Sequence, residues 1–574
     1  MPHRQARRRR AAAAAALQRR CRCAPLHVAA RPLDAGARQR RARRQHAPAH
    51  RRHDHRRRCA QPRPARFHST LTSMRLPRAS GVLLHPTSLP GPHGSGDFGP
   101  SAYHFVDWLA AAGQKLWQIL PLGGIGPGNS PYMSSSAFAG NVLLIDLGDL
   151  ARHGWLDAAD LEPPPDLPAA RVDYERVIPF RMERLARAAA RFAERATDAE
   201  RAALGAFRDA NAVWLDDYAL FMALGEAHDW AVWNDWPAPL ARREPKALAE
   251  ARTLHAQRIA FWAFCQWRFY AQWHALKAYA NRHDVRIIGD TPIFIALQSA
   301  EVWARQELFE LDPAGQPLVV AGVPPDAFST TGQHWGNPLY RWSAHAEEGY
   351  AWWVERIRRT FELVDIVRID HFRGFAAYWE IPAHERTAIN GRWVPGPGAA
   401  LFTAIAHALG AMPIIAEDLG IITPDVVALR KQFAFPGMRI LQFAFDGPNN
   451  NLYLPHNHEH DSAIYPGTHD NDTVVGWWRA ASPDEQQRVR DYLRIDGSEI
   501  HWDLIRAACA SVADVAVHAM QDVLGLDASA RMNFPGQGEG WWAWRFDWSQ
   551  VEAWHAERLA RLAVMYRRDG TPIV

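Results

Sequence analysis

The sequence predicts an α/β protein built as a (β/α)8 TIM barrel, with inserted helical subdomain structure and a long cleft-covering loop. Three observations carry that prediction. Short apolar runs recur along the chain and repeatedly end in polar or acidic residues. Helical stretches separate them, which is the alternation a parallel sheet requires. About eight such runs are present, the number that closes a barrel. No Gly-rich dinucleotide fingerprint follows the first run, which argues against an open Rossmann sheet.

In order, the runs are "GVLLHP" (81–86), "KLWQILPL" (115–122), "VRIIGDTP" (285–292), "DIVRID" (365–370), "MPIIAED" (412–418) and "MRILQFAF" (438–445). Weaker signals at "YPGTHD" (465–470) and "VADVAVHAM" (512–520) complete the set. Between the second and third runs lie about 160 residues. Within them 171–196, 201–229 and 253–283 read as amphipathic helices. Residues of about 150–250 are read as an inserted helical subdomain, with the last helix returning to the barrel. A second insertion, about 296–362, is aromatic and punctuated by Gly and Pro. It is long for a plain connection, and long ordered loops tend to carry function. Cys265 lies on a helical stripe with Trp262, Phe269, Trp273 and Leu276, so packing explains it.

The chain has 574 residues and a formal net charge of +5. That charge is uneven. Residues 1–73 hold 21 Arg, no Lys and 2 Asp, a net of +19. The remainder holds 45 basic and 59 acidic side chains, a net of −14. The Arg/Ala-rich extension 1–73 has too few apolar residues to offset the entropy of ordering and is read as disordered; residues 74–574 are read as the catalytic barrel. Three origins compete for the extension: an over-extended start with Met74 the initiator, which is favoured; a transit-type targeting segment; or a segment for nucleic acid or anionic surfaces. The folded body is acidic, so nucleic acid is not its expected partner. No run of about 18 apolar residues marks a membrane span, and no secretory core is present. Beyond the extension only Cys265 and Cys509 remain, too few for a disulfide framework, so a cytoplasmic location is expected.

The chemistry concentrates in three carboxylates at the ends of runs: Asp370, Glu417 and Asp470. In a barrel, functional residues lie at the C-terminal ends of strands. Taken singly, each is equally a helix cap or a loop carboxylate. Arg368 changes the reading for Asp370. Side chains alternate along a strand, so Arg368 and Asp370 share a face and point into the barrel top. Desolvating both is costly unless they pair. Either the pair is a structural salt bridge, or Arg368 holds Asp370 ionised by lowering its pKa, as a nucleophile requires. Glycosidic-bond cleavage needs one group to protonate the leaving oxygen and another to attack the anomeric carbon. Glu417, with the longer side chain, suits the acid/base role. Asp470, beside His469, suits the binding of sugar hydroxyls.

Other signals are weaker. The 25 Trp fit a glycan binder through ring stacking on sugar faces, although most are expected in the core. The alternate histidines His456, His458 and His460 of "HNHEHD" are not expected to hold a metal. "PLGGIGPGNSP" lacks the G-K-[ST] of a phosphate loop and reads as a cleft loop.

Together the motifs resemble the amylomaltase (4-α-glucanotransferase, disproportionating enzyme) family, glycoside hydrolase family 77, from about residue 80 to the C-terminus. The residues that carry the resemblance are "GVLLHPTSLPGPHGSGDFG", "NSPYMSSSAFAGN", "IIGDTPIFI", "AGVPPDAFSTTGQHWGNPLY", "VRIDHFRGF", "IIAEDLG", "GTHDNDT" and "ARMNFPGQ". The resemblance implies Asp370 as nucleophile, Glu417 as general acid/base and Asp470 as transition-state stabiliser, with Arg368 and His469 in support. It implies that Tyr132 and Asp290 lie near the donor sugar, that Trp335 lies on a lid-like loop, and that His371 contacts the region of the bond. It also implies that no metal or organic cofactor is used. Two departures stand out. Ala327 replaces the tyrosine of the family's "PPDYF", leaving Phe328 and Trp335 to stack on substrate, and "GWW" (540–542) replaces the usual "GNW". The expected function is therefore retaining transfer of α-1,4-glucan segments from a donor to glucose or a maltooligosaccharide. The alternatives are an α-glucan hydrolase on the same trio, or a non-catalytic glycan-binding protein.

Overall fold

The computed structural model describes residues 76–326 and 329–571. The expectations for 1–73, Met74, Ala327 and Phe328 lie outside the described residues. Twelve strands occur among the described residues: β1 (Ala79–Leu83), β2 (Leu116–Gln118), β3 (Arg286–Pro292), β4 (Val319–Val323), β5 (Gln333–Pro338), β6 (Ile366–Asp370), β7 (Ala377–Pro382), β8 (Arg392–Pro395), β9 (Ile414–Ala416), β10 (Gly437–Ile440), β11 (Ser462–Tyr465) and β12 (Val515–Ala519).

Eight of them form one parallel sheet in the order β10-β11-β12-β1-β2-β3-β6-β9. The Ala416 N–H donates to the Pro436 carbonyl at 2.8 Å, which brings the two ends of that sheet together. The result is the (β/α)8 barrel; seven of the eight apolar runs supply a strand, and the eighth, "YPGTHD", supplies only the last residue of β11, Tyr465. One expectation needs correction. In "YPGTHD" the strand ends at Tyr465. Pro466 follows and has no N–H to continue the ladder. Asp470 therefore rides on the loop after β11 rather than at a strand end.

The barrel strands are buried almost throughout; β1, β2, β9, β10, β11 and β12 are buried at every position. Parallel strands covered on both faces read as continuous apolar runs, which is why they were legible. The three helices expected between β2 and β3 are Tyr174–Arg195, Asp198–Ala227 and Ala256–Arg282. The second starts earlier than its apolar period because Thr197 and Glu200 form a reciprocal capping box. The third buries Trp262, Cys265, Phe269, Trp273 and Leu276, the whole expected stripe. Fully burying one such side chain contributes about 1.5–3 kcal/mol.

The remaining four strands form an antiparallel sheet, β5-β4-β7-β8. Two of them lie inside the 296–362 stretch, and two follow β6. This sheet was not foreseen. β5 is "QHWGNP" and β8 is the mostly exposed "RWVP", and neither shows the alternation that marks a half-buried strand. The sheet packs just past the C-terminal end of β3, where the Phe294 ring meets Tyr378 of β7 at 6.3 Å and Trp335 of β5 at 6.4 Å.

Candidate active site

The site is assembled by strand register. β3 and β6 pair so that Asp290 lies opposite Arg368. β6 and β9 pair so that Ile369 lies opposite Ala416. The next residues, Asp370 and Glu417, are therefore neighbours at adjacent strand ends, and the Glu417 N–H donates to the Ile369 carbonyl at 3.0 Å.

Arg368 is buried and forks between two carboxylates. One terminal nitrogen lies 2.6 Å from Asp290 Oδ2 and the other 3.0 Å from Asp370 Oδ1. The shared face read from the strand period is thus real. Tyr132, fixed in the Pro131–Met133 turn by Ser130, donates its hydroxyl proton to Asp290 Oδ2 at 2.8 Å. The same hydroxyl lies 2.8 Å from His469 Nε2, and the two rings stack at 5.5 Å. His469 Nε2 is 3.4 Å from Asp470 Oδ2. One continuous polar chain therefore runs from Asp370 through Arg368, Asp290, Tyr132 and His469 to Asp470.

Glu417 is held by backbone. His371 adopts a left-handed conformation, φ 51°, directly after β6. This turns its N–H onto Glu417 Oε2 at 2.7 Å, while the Leu419 N–H reaches Oε1 at 2.9 Å. A left-handed non-glycine residue costs about 1–2 kcal/mol, and such strain collects at functional sites. The His371 ring meets Trp335 edge-on at 4.9 Å, so β5 of the inserted sheet reaches the rim beside Asp370. Burial pushes the His371 imidazole down to about 3, so it is neutral.

Burial raises both central carboxyls. Glu417 is pushed up to about 8, by burial first and by the charge of Asp370 second. Asp370 is pushed up to about 7 by burial, with Arg368 opposing and Asp290 and Asp470 adding to the rise. The expectation that Arg368 lowers this pKa below its ordinary value is thus corrected. Its attraction is present, but desolvation and the two nearby acids outweigh it. Arg368 still decides the order. It pairs directly with Asp370, and its charge acts on Glu417 only from a distance, which favours the shared proton on Glu417. The Tyr132 phenol is held protonated by burial and by Asp290.

Nine of the ten expected site residues are joined by these contacts; Phe328 lies outside the described residues. Two further residues emerge. The Asn533 amide donates to Asp470 Oδ1 at 2.6 Å, and the Arg531 guanidinium donates to the Asp470 carbonyl at 2.6 Å. Both belong to "ARMNFPGQ", some 60 residues from Asp470, and no local pattern in that stretch points to a carboxylate partner.

The same residues place the chain among known proteins. A family model described as 4-alpha-glucanotransferase matches residues 84–550. The chain belongs to glycoside hydrolase family 77. Within this family it is 52% identical over 498 residues to the 4-alpha-glucanotransferase of Thermus thermophilus, covering 85% of this chain and 99% of that one. It is 46% identical over 476 residues to the chloroplastic/amyloplastic 4-alpha-glucanotransferase of Solanum tuberosum, covering 82% of each. Among solved structures it matches amylomaltase from Streptococcus agalactiae in complex with acarbose, with a TM-score of 0.83 at 39% identity, over 86% of this chain and 99% of that one. The glycoside hydrolase 77 match spans every residue of the polar chain from Asp370 to Asp470.

Proposed function

We propose that this 4-alpha-glucanotransferase works by retaining double displacement, with Asp370 as nucleophile and Glu417 as acid/base. The observation that carries the reading is the adjacency of the two carboxylates on hydrogen-bonded strands. Adjacent strands run about 4.8 Å apart. Retaining chemistry calls for carboxyls about 5–5.5 Å apart, while inversion needs about 6.5–9.5 Å.

In the first step the Asp370 carboxylate attacks the anomeric carbon of an α-1,4-glucan while Glu417 protonates the departing 4-oxygen. A glucosyl ester on Asp370 results, and Glu417 is left ionised. In the second step Glu417 takes the proton from the 4-OH of glucose or a maltooligosaccharide, whose oxygen displaces Asp370. The raised pKa of Glu417 suits a group that must begin protonated. Arg368 keeps negative charge on Asp370. Asp470 stabilises the transition state on the donor sugar that Tyr132, Asp290 and His469 hold, and Trp335 lines the rim with His371.

Incubation with maltotriose followed by chromatography tests the proposal. Transfer yields chains longer than three glucoses alongside shorter ones, and retained anomeric configuration supports the ester. Products that are only shorter would mean hydrolysis instead. We infer a cytoplasmic location, which the free, buried thiols of Cys265 and Cys509 support. Among the described residues no helix is long and apolar enough to cross a membrane.

A further inference from the structure

Three buried polar atoms behind the site lack a hydrogen-bond partner: His469 Nδ1, His85 Nδ1 and Ser88 Oγ. Their residues are 5%, 5% and 0% exposed. All three residues line one cavity, formed where the segments after β1, β11 and β12 meet. Leaving a buried donor or acceptor unpaired is costly, and native proteins fill such places with ordered water. The cavity offers ≈ 20 Å³ to water, and about 10–15 Å³ suffices for one molecule.

The other side of His469 settles where its proton lies. The Asp290 carboxylate, paired with Arg368, only accepts. Tyr132 therefore spends its proton on Asp290 at 2.8 Å. The Tyr132 oxygen must then accept from His469, 2.8 Å away at Nε2. Burial keeps the His469 imidazole neutral. Nδ1 is thus a bare lone pair that needs a donor, and among the described residues none is supplied. His85 is also neutral, pushed down to about 3 by burial and then by His469.

We propose that an ordered water in this cavity donates to His469 Nδ1 and to His85 Nδ1 and accepts from the Ser88 hydroxyl, and so holds His469 in its Nε2–H tautomer. Three bonds are the usual number for a buried water. Of the acids lining the cavity, Asp522 accepts at Oδ1 from the Val474 N–H at 2.7 Å, and Asp472 accepts at Oδ1 from the Thr473 N–H at 2.8 Å. Among the described residues no group of three or more His, Cys, Asp or Glu could hold a metal ion. His85 and Ser88 are positioning residues that act through His469. Moving the proton to Nδ1 would set the Nε2 lone pair against Asp470 Oδ2, at 3.4 Å, and draw the Tyr132 proton away from Asp290. The kinetic consequence rests on the proposed roles of Tyr132, His469 and Asp470 at the donor sugar.

The experiment combines a high-resolution crystal structure, histidine-selective 15N spectroscopy and maltotriose kinetics on the full chain. The wild type should show solvent density on His469 Nδ1 and the Nε2–H tautomer. His85→Leu should lose the water, populate the Nδ1–H form and lower kcat about tenfold, the scale of one hydrogen bond, with little change in KM. His85→Asn, whose amide oxygen accepts from the water, should recover most of the loss. Ser88→Ala reads the same signals with a smaller perturbation should His85→Leu not fold. An empty cavity, a metal ion in it, an Nδ1–H wild type, or Leu and Asn variants that both keep the wild-type tautomer would overturn the proposal. A tautomer shift at unchanged kcat would support the water bridge and remove His469 from the proposed mechanism.

Discussion

Arg368 lies 3.0 Å from Asp370 through one nitrogen, and its other terminal nitrogen is committed to Asp290 at 2.6 Å. A planar fork can serve two carboxylates at once; a lysine ammonium is a single point charge on a flexible stem. Arg368→Lys should therefore keep the fold and lower kcat by on the order of 10²–10³, the cost of one misplaced charged group in an active site. Arg368→Met should also lower the melting temperature, because it strands Asp290 in a buried place. Thermal melts beside transfer assays check both, and near-normal kcat in the Lys variant would argue against the fork.

The two central acids should separate by substrate. Asp370→Asn should abolish transfer on every donor while folding normally. Glu417→Gln should lose about 10²–10⁴-fold on maltotriose, the range of general acid–base catalysis. It should lose far less on α-glucosyl fluoride, whose leaving group needs little protonation. Equal losses on the two donors would remove Glu417 from the acid/base role.

Glu417 also sets a pH dependence. Its folded pKa of about 8 lies above its ordinary 4.5. The folded state thus binds this proton more tightly than the unfolded chain. The stability it contributes is present at low pH and is lost as pH rises from about 4.5 through about 8. Glu417→Gln should therefore melt higher than wild type, by a margin that grows across that window. The wild-type kcat/KM should fall on the alkaline side near pH 8, as the acid loses its proton. Melting curves and rates between pH 4 and 9 read both, and a margin independent of pH would contradict the burial account.

Asn533 is a dependence that sequence reading passed over. Its 2.6 Å bond to Asp470 Oδ1 holds a carboxylate that is otherwise 40% exposed. Asn533→Ala should lower kcat about tenfold, the scale of one hydrogen bond to a charged group. It should leave stability within about 1 kcal/mol, since Asp470 can turn to solvent. Unchanged kinetics would mean that Asp470 is held adequately by its backbone.

Removing residues 1–73 should leave transfer rates and melting temperature unchanged, because that segment has few apolar residues to bury. A fall of several degrees would overturn the compositional reading.

The sequence by itself determined the barrel and its acids. Parallel strands covered on both faces must be apolar throughout, so "VRIIGD", "DIVRID" and "PIIAED" are visible as strands. A charge at the end of such a run can only be functional or capping, so Asp370 and Glu417 stand out, and the period of two places Arg368 beside Asp370. Tertiary structure decided the rest, because it depends on partners far apart in the chain. The antiparallel sheet that carries Trp335 arises from pairing β5 with β4 and β8 with β7, and β5 and β8 are too polar to declare themselves as strands. Asn533 meets Asp470 only because the segment after β12 folds over the loop after β11. The loop position of Asp470 follows from Pro466, which ends β11 early. The net pKa of Asp370 is likewise a property of burial: Arg368 is adjacent in sequence, but the desolvation and the two acids that outweigh it exist only once the barrel has closed.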